Sequence, residues 1–246
     1  VPRVDPYYRP DLALVHHLGF GFHADACAPG ILTLLEPVRA RHGLVLELGC
    51  GSGLLTRYLV DAGHRVLATD ASPAMLELAR ETAPGAEEIR LLALTDDDLP
   101  ECDAVVSVGH VLNYLSDEAA LDRGLLAAGR ALRPDGLLAL DLCDLRWGQA
   151  RLGAANYSRV ENEWAIVTRF DLPSPNRFVR HIVTFLRNDD GTWRRDDERH
   201  ENVLVDTSRV PALLSTVGVT AEVRASFGDE QLPEGLVVVS GRRSGR

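Results

Sequence analysis

The chain's residue pattern predicts a doubly wound α/β fold: a mainly parallel seven-stranded sheet with an antiparallel β insert after the fifth strand. Three observations carry this. From Leu44 onward short apolar runs alternate with helical patterns. The first run ends in a glycine-rich loop, Gly49-Cys50-Gly51-Ser52-Gly53. From about Asn162 to Asp206 the alternation stops and long β-prone runs are separated by turn formers. Alternating strands and helices imply parallel pairing with right-handed crossovers, and such sheets bind ligands at the carboxyl ends of their strands.

Residues 1–43 read as helical, with Gly19 and Gly21 as breakers and Pro37 expected to end or kink the second helix. Leu44–Leu48 is a buried strand and Leu54–Ala62 a helix stopped by Gly63. Arg65–Thr69 is the next strand; Ser72 then caps a helix with Pro73 at its first position. Ile89–Leu94 and Ala104–Val108 follow as strands. Ser116-Asp117-Glu118 starts a helix with a buried stripe of Leu121, Leu125, Ala128 and Leu132. Pro134-Asp135-Gly136 turns the chain into Leu137–Leu142. Trp164–Leu172, Arg177–Arg187 and Thr192–Val205 read as three antiparallel strands. A helix (Arg209–Val217) and two strands (Val219–Phe227, Leu236–Ser240) complete the chain. The expected division is a helical cap over 1–43, a ligand-binding domain over 44–145 and 207–246, and the insert, a substrate cover or dimerisation element, over 146–206.

The chain's 246 residues suffice for one large α/β domain. A formal net charge of −10 disfavours phosphate backbones and anionic lipid surfaces, so neither nucleic acid nor membrane is expected as a partner. Lysine is absent, which excludes Schiff-base chemistry and pyridoxal phosphate. Cys27, Cys50, Cys102 and Cys143 form no CxxC pair; reduced thiols and a cytoplasmic setting are expected. The start lacks the apolar core of a signal peptide, and no run is long enough to span a bilayer.

A glycine-rich loop lets backbone approach a cofactor closely, with the following helix N-terminus aimed at it. Here the spacing is Gly49-x-Gly51-x-Gly53, and Leu54 stands where a dinucleotide fingerprint needs glycine or alanine. Glu47, in the strand before the loop, disfavours a pyrophosphate and suits a ligand carrying an ammonium and a sulfonium. Asp70 ends the second strand, where a carboxylate can accept two ribose hydroxyls.

Val45-Leu46-Glu47-Leu48-Gly49-Cys50-Gly51-Ser52-Gly53 resembles the first motif of class I S-adenosylmethionine-dependent methyltransferases. Leu67-Ala68-Thr69-Asp70-Ala71-Ser72-Pro73-Ala74-Met75-Leu76 resembles their second, and Leu132-Arg133-Pro134-Asp135-Gly136-Leu137-Leu138 the turn before their fifth strand. The resemblance covers Leu44 to Leu142 well and the last helix and strands more weakly. It implies a Rossmann-like sheet, S-adenosylmethionine as cofactor, S-adenosylhomocysteine as product and no metal. It also implies that the Gly49, Cys50 and Gly51 backbone holds the methionine part, with Gly53 closing the loop and Glu47 serving the amino group through backbone or water. Asp70 would grip the ribose, and Ala71 and Met75 would line the adenine. The acid the family carries after its third strand aligns with Thr95 here, leaving open whether Thr95, Asp96 or Asp97 meets the adenine amine. Gly109 would face the methionine end.

Methyl transfer from a sulfonium is an in-line displacement that positioning alone accelerates greatly. His110, beside Gly109 at the carboxyl edge of the fourth strand, is the candidate general base. Tyr7, Tyr8 and His16 in the N-terminal segment, Tyr114 after the fourth strand, and Trp147 and Tyr157 after the fifth are the candidates to wall the acceptor. Arg169, His181 and His200 lie on the insert, most of whose charges are expected on a solvated face. No Asn/Asp-Pro-Pro-Tyr run and no metal-ligand spacing is present. The expected reaction is methylation of a nitrogen or oxygen of a small molecule, with natural products and amino sugars as candidates, by a monomer or homodimer. The alternatives are a nucleotide-dependent oxidoreductase and a non-catalytic relative that binds the cofactor.

Overall fold

A computed structural model describes residues 7–94, 98–153 and 155–245. Helices α1 (Pro10–Gly19) and α2 (Phe22–Ala40) come first. They are followed by β1 (Leu44–Leu48), α3 (Leu54–Asp61), β2 (Arg65–Asp70), α4 (Pro73–Thr82), β3 (Glu88–Leu91) and β4 (Cys102–Ser107). A 3₁₀ turn (Val111–Tyr114) leads to α5 (Glu118–Ala131), β5 (Leu132–Cys143) and a short α6 (Leu145–Gln149). The insert comprises β6 (Tyr157–Val160), β7 (Trp164–Ser174), β8 (Arg177–Arg187) and β9 (Trp193–Val203). A 3₁₀ turn (Thr207–Arg209), α7 (Val210–Ser215), β10 (Val219–Arg224) and β11 (Leu236–Arg243) close the chain.

The seven strands of the main sheet lie in the order β10-β11-β5-β4-β1-β2-β3. β3, β2, β1, β4 and β5 pair in parallel, and β11 runs antiparallel between β5 and β10. The winding reverses between β1 and β4, so a crevice opens at their carboxyl ends. One face of the sheet buries Leu46, Leu48, Val105, Leu138 and Leu140 against Leu121 and Leu125 of α5. The other packs Val45, Val66 and Val106 against Ile31, Leu35, Leu59 and Leu76 of α2, α3 and α4. The insert is a separate antiparallel sheet, β6-β7-β8-β9. Helix α1 lies on it, with Leu12 and Val15 against Trp164, Ile166, Ile182 and Leu186.

Several expected boundaries move. Helix α2 contains Pro29 and Pro37 and continues past Pro37 to Ala40; burial of Leu35 and Val38 in the core holds the last turn despite the missing N–H. β3 ends at Leu91, opposite Asp70, the last residue of β2; one final backbone bond runs from the Leu92 N–H to the Asp70 carbonyl at 3.0 Å. Leu92, Ala93 and Leu94 instead line the crevice. β5 starts at Leu132, and its pairing with β4 jumps from Cys102↔Leu132 to Ala104↔Leu137, so Pro134-Asp135-Gly136 is an irregularity within the strand. The insert has four strands rather than three: the short, polar β6 forms by pairing with β7. The expected helix over 209–217 is a 3₁₀ turn followed by the short α7. Among the described residues, no single helix is long and apolar enough to cross a membrane.

Candidate functional site

At the β1–β4 crevice the glycine loop is shaped by its own backbone. Gly49 has φ of 68°, and a Cβ there would lie 2.3 Å from Val111, so only glycine fits. Gly51 has φ of 55°, and a Cβ there would meet nothing nearer than the Met75 sulfur at 3.9 Å. At Gly109, across the crevice, a Cβ would meet nothing within 4 Å. Gly51 and Gly109 thus present bare backbone to open space, a cradle for a ligand.

Asp70 sits beneath that cradle. Its Oδ2 accepts the Gly51 N–H at 2.9 Å and its Oδ1 the Ser72 N–H at 2.8 Å. A carboxylate offers roughly four acceptor positions, so two stay available to a ligand's hydroxyls. Burial raises the Asp70 pKa, and the backbone donors oppose the rise. Ser72 caps α4 by accepting the Met75 N–H and also donates to the Tyr8 carbonyl at 2.7 Å. One hydroxyl therefore joins α4 to the N-terminal segment.

The cavity measures about 550 Å³. Gly49, Gly51, Asp70, Ala71 and Met75 line it on the β1–β2 side, and Gly109 and Tyr114 on the β4 side. Tyr7, Tyr8 and His16 cover it. The structure brings these expected site residues together. Others stand apart from the lining. Glu47 is buried under the loop, where Oε2 accepts the Thr56 hydroxyl at 2.7 Å; burial pushes its pKa up to about 7. Cys50 is buried, and burial holds its thiol well above the ordinary value, which makes it packing rather than a nucleophile. A Cβ on Gly53 would lie 3.0 Å from Ala79 Cα, so this glycine allows α3 and α4 to approach. Tyr157 lies on the outer strand β6 against Phe20, 39% exposed, and is not among the lining residues. Thr95 and Asp96, with Asp97, lie outside the described residues.

His110 adopts φ of 49° and sits just outside the lining. Asp141 of β5 holds its backbone N–H at 2.6 Å and the Gly109 N–H at 3.0 Å. His23 of α2 reaches the same carboxylate at 2.9 Å. The His110 ring stacks on Tyr114 (centroids 5.6 Å, interplanar 15°) and meets Trp147 at 5.4 Å. Burial, reinforced by the Arg180 charge, lowers its pKa to about 3.

A polar cluster that the sequence pattern does not reveal lies behind Tyr8 and Tyr114. The Tyr8 and Tyr114 hydroxyls meet at 2.9 Å, and Arg180 of β8 donates to Tyr114 Oη. Glu198 of β9 accepts the Tyr8 and Arg9 N–H groups, both at 2.8 Å, and pairs with His200 Nε2 at 2.9 Å. Tyr7 packs between Tyr114 and His200. Burial lowers the pKa of His16 and of His200 to about 4 each. Among the described residues, the Nδ1 atoms of His16, His110 and His200, Trp147 Nε1 and Arg180 Nε are buried without a hydrogen-bond partner. His200 was expected with the insert's solvated charges; strand register turns Glu198, His200 and Asn202 to the buried face instead. The available signal was period two: Phe178, Arg180 and Ile182 share one face of β8. Among the described residues, no group of His, Cys, Asp or Glu is placed to hold a metal ion.

Residues 45–136 match the family described as Methyltransferase domain. A methyltransferase-family protein of Geobacillus sp. strain WCH70 is 27% identical over 195 residues, spanning 76% of this chain and 78% of that protein. An S-adenosylmethionine-dependent methyltransferase from Clostridium acetobutylicum superposes with a TM-score of 0.76 at 17% identity, covering 94% of this chain and 97% of its own. The sugar N-methyltransferase KedS8 from Streptoalloteichus sp. gives a TM-score of 0.76 at 20% identity, covering 99% and 97%.

Proposed function

We propose that this chain, which belongs to the class I S-adenosylmethionine-dependent methyltransferases, methylates a nitrogen or oxygen of a small molecule by in-line displacement. The observation that carries the site assignment is the open backbone at Gly51 and Gly109 with Asp70 beneath it. Asp70 takes the ribose hydroxyls, and Ala71 and Met75 form the adenine wall. The Gly49–Gly51 and Gly109 backbone holds the methionine end. Glu47 supplies negative charge from beneath the loop, suited to a ligand with two cationic centres.

When bound, S-adenosylmethionine supplies an electrophilic methyl carbon on a sulfonium and leaves as S-adenosylhomocysteine. The chain's own work is orientation, worth roughly 7–11 kcal/mol in well-aligned cases. Tyr7, Tyr8 and His16 close the cavity and exclude water. His110 is neutral at physiological pH, and its buried, unpartnered Nδ1 supports a role in accepting a hydrogen bond or a proton from the acceptor. At a pKa of about 3 it orients better than it deprotonates, unless bound acceptor changes its surroundings. A cavity of about 550 Å³ and the net charge of −10 favour a small molecule over nucleic acid. The fold shared with KedS8 keeps amino sugars among the candidates.

Thermal melting tests this reading. A ligand at 100 times its dissociation constant stabilises the native state by about 2.7 kcal/mol. S-adenosylmethionine or S-adenosylhomocysteine should raise Tm, NAD(P) should not, and Asp70→Ala should remove most of the rise. A shift with NAD(P) alone would favour the oxidoreductase alternative. A shift surviving intact in Asp70→Ala would refute the ribose assignment.

A further inference from the structure

On the inner face of the insert sheet, a guanidinium stands where the strand pattern calls for an apolar side chain. Along β8, Phe178, Ile182 and Leu186 are buried, and Arg180 falls in the same row. Its side chain is partly accessible, while its Nε is fully buried. His110 and Tyr114 beside the cavity are also partly accessible, and Tyr114 lines it.

Arg180 donates to Tyr114 Oη, while its Nε has no partner. Among the described residues, no carboxylate forms an ion pair with it. Glu198 is committed elsewhere, to Tyr8, Arg9 and His200, and His200 is the cross-strand neighbour of Arg180. Arg177 and Arg199 have Glu201 as their counter-ion. The ring groups around Arg180 are neutral: burial keeps His16, His110 and His200 deprotonated and the Tyr114 phenol protonated, while the Arg151 guanidinium adds a second positive charge nearby. A guanidinium cannot shed its proton to relieve burial. A buried charge of this kind is stable only with a partner.

On the reading of this cavity as a methyl-transfer site, we infer that Arg180 is a specificity-determining residue that binds a carboxylate of the methyl acceptor. Position favours the acceptor over the donor. Asp70 and the Gly51 backbone occupy one side of the cavity, and Arg180 lies behind Tyr8 and Tyr114 at the other. Charge favours a carboxylate over a phosphate, because the guanidinium set among these neutral imidazoles matches a single negative charge. The buried Nε is a donor left without a partner, which a carboxylate oxygen reaching the guanidinium would satisfy. Pairing would also weaken the electrostatic hold of Arg180 on His110, so the correct acceptor would make its own proton acceptor more basic.

The test is calorimetric titration of the full chain, saturated with S-adenosylhomocysteine, using benzoate, its neutral isostere benzamide, and phenyl phosphate. Benzoate should bind about tenfold or more tighter than benzamide. Arg180→Gln should abolish that preference and Arg180→Lys should keep part of it, with S-adenosylhomocysteine affinity unchanged in both. Equal binding of benzoate and benzamide, no binding of either, or a preference that survives in Arg180→Gln would overturn the assignment. So would an Arg180-dependent preference for phenyl phosphate. Loss of S-adenosylhomocysteine affinity in Arg180→Gln, with benzoate binding intact, would move the guanidinium to the donor's carboxylate. Should Arg180→Gln not fold, the benzoate-to-benzamide ratio of the unaltered chain decides. If the unaltered chain does not bind S-adenosylhomocysteine, the methyl-transfer reading fails by itself, and the same ratio without nucleotide still reports on Arg180.

Discussion

Asp141 accepts the backbone N–H of His110 at 2.6 Å and thereby holds that residue in a left-handed conformation, φ 49°. The same carboxylate takes the Gly109 N–H and His23 Nε2, so one buried side chain ties β5, the loop after β4 and α2 together. Asp141→Asn cannot reproduce this, because its amide NH₂ must face at least one N–H donor. Losing one buried acceptor costs about 1–3 kcal/mol. At about 2–4 °C per kcal/mol for a chain of this size, Tm should fall by several degrees, and methyl transfer should slow because His110 is no longer fixed. A variant with unchanged Tm and turnover would remove this role.

His110 itself is best tested with asparagine, which tolerates the left-handed region where alanine is strained. His110→Asn should keep S-adenosylhomocysteine affinity while the chemical step slows. A drop of about 10²–10⁴-fold would indicate proton transfer, a smaller one orientation. Full turnover in single-turnover kinetics would exclude both.

Glu47 titrates at about 7 in the folded chain because burial penalises its charge, and the nearby Asp70 adds to the rise. A doubly cationic ligand favours the ionised form. S-adenosylmethionine affinity should therefore rise with pH through about 7, and Glu47→Gln, which can still accept from Thr56, should flatten that rise. Calorimetry across this range checks it; an identical pH dependence in both proteins would dissociate Glu47 from the ligand.

Stability should fall on acidification. Burial brings His16, His110 and His200 down to about 4, about 3 and about 4 when folded, below their ordinary value of 6.5. Between about 6.5 and 4 the unfolded chain takes up protons that the folded chain does not, so the stability present above 6.5 is lost as pH falls. Glu47 acts oppositely: between 4.5 and about 7 its folded form holds a proton that the unfolded form has released. Asp70, also raised, works in the same sense as Glu47. Each site contributes at most about 1.4 kcal/mol per pH unit, so the histidines should dominate and Tm should drop steadily below 6.5. His16→Gln should shallow that slope by about one proton; an unaltered slope would show that His16 is already charged when folded.

How much of this was legible without coordinates depends on the range of the interactions involved. The glycine loop, Asp70 and the Ser72-Pro73 cap are set by backbone rules acting within a few residues, and the cavity is where those rules place it. Leu54 and Glu47 narrowed the cofactor by composition at two positions. Tyr157 follows β5 in sequence, but pairing of β6 with β7 sets it against Phe20, outside the residues that line the cavity. Its replacement by alanine should cost no more than about 0.5 kcal/mol and leave turnover unchanged, as steady-state kinetics would show.

By itself, then, the sequence determined the sheet, the crevice at the β1–β4 reversal and the chemistry of the cofactor, because strand–helix alternation and glycine spacing are local and periodic. Tertiary structure decided the polar cluster behind Tyr8 and Tyr114. Register between β8 and β9 sets Arg180 opposite His200, and packing of the N-terminal segment across both sheets brings Tyr8 to Glu198, 190 residues away, and to Tyr114. Those contacts join segments distant along the chain, and only folding of the two sheets against one another gives each charge its burial and its neighbours.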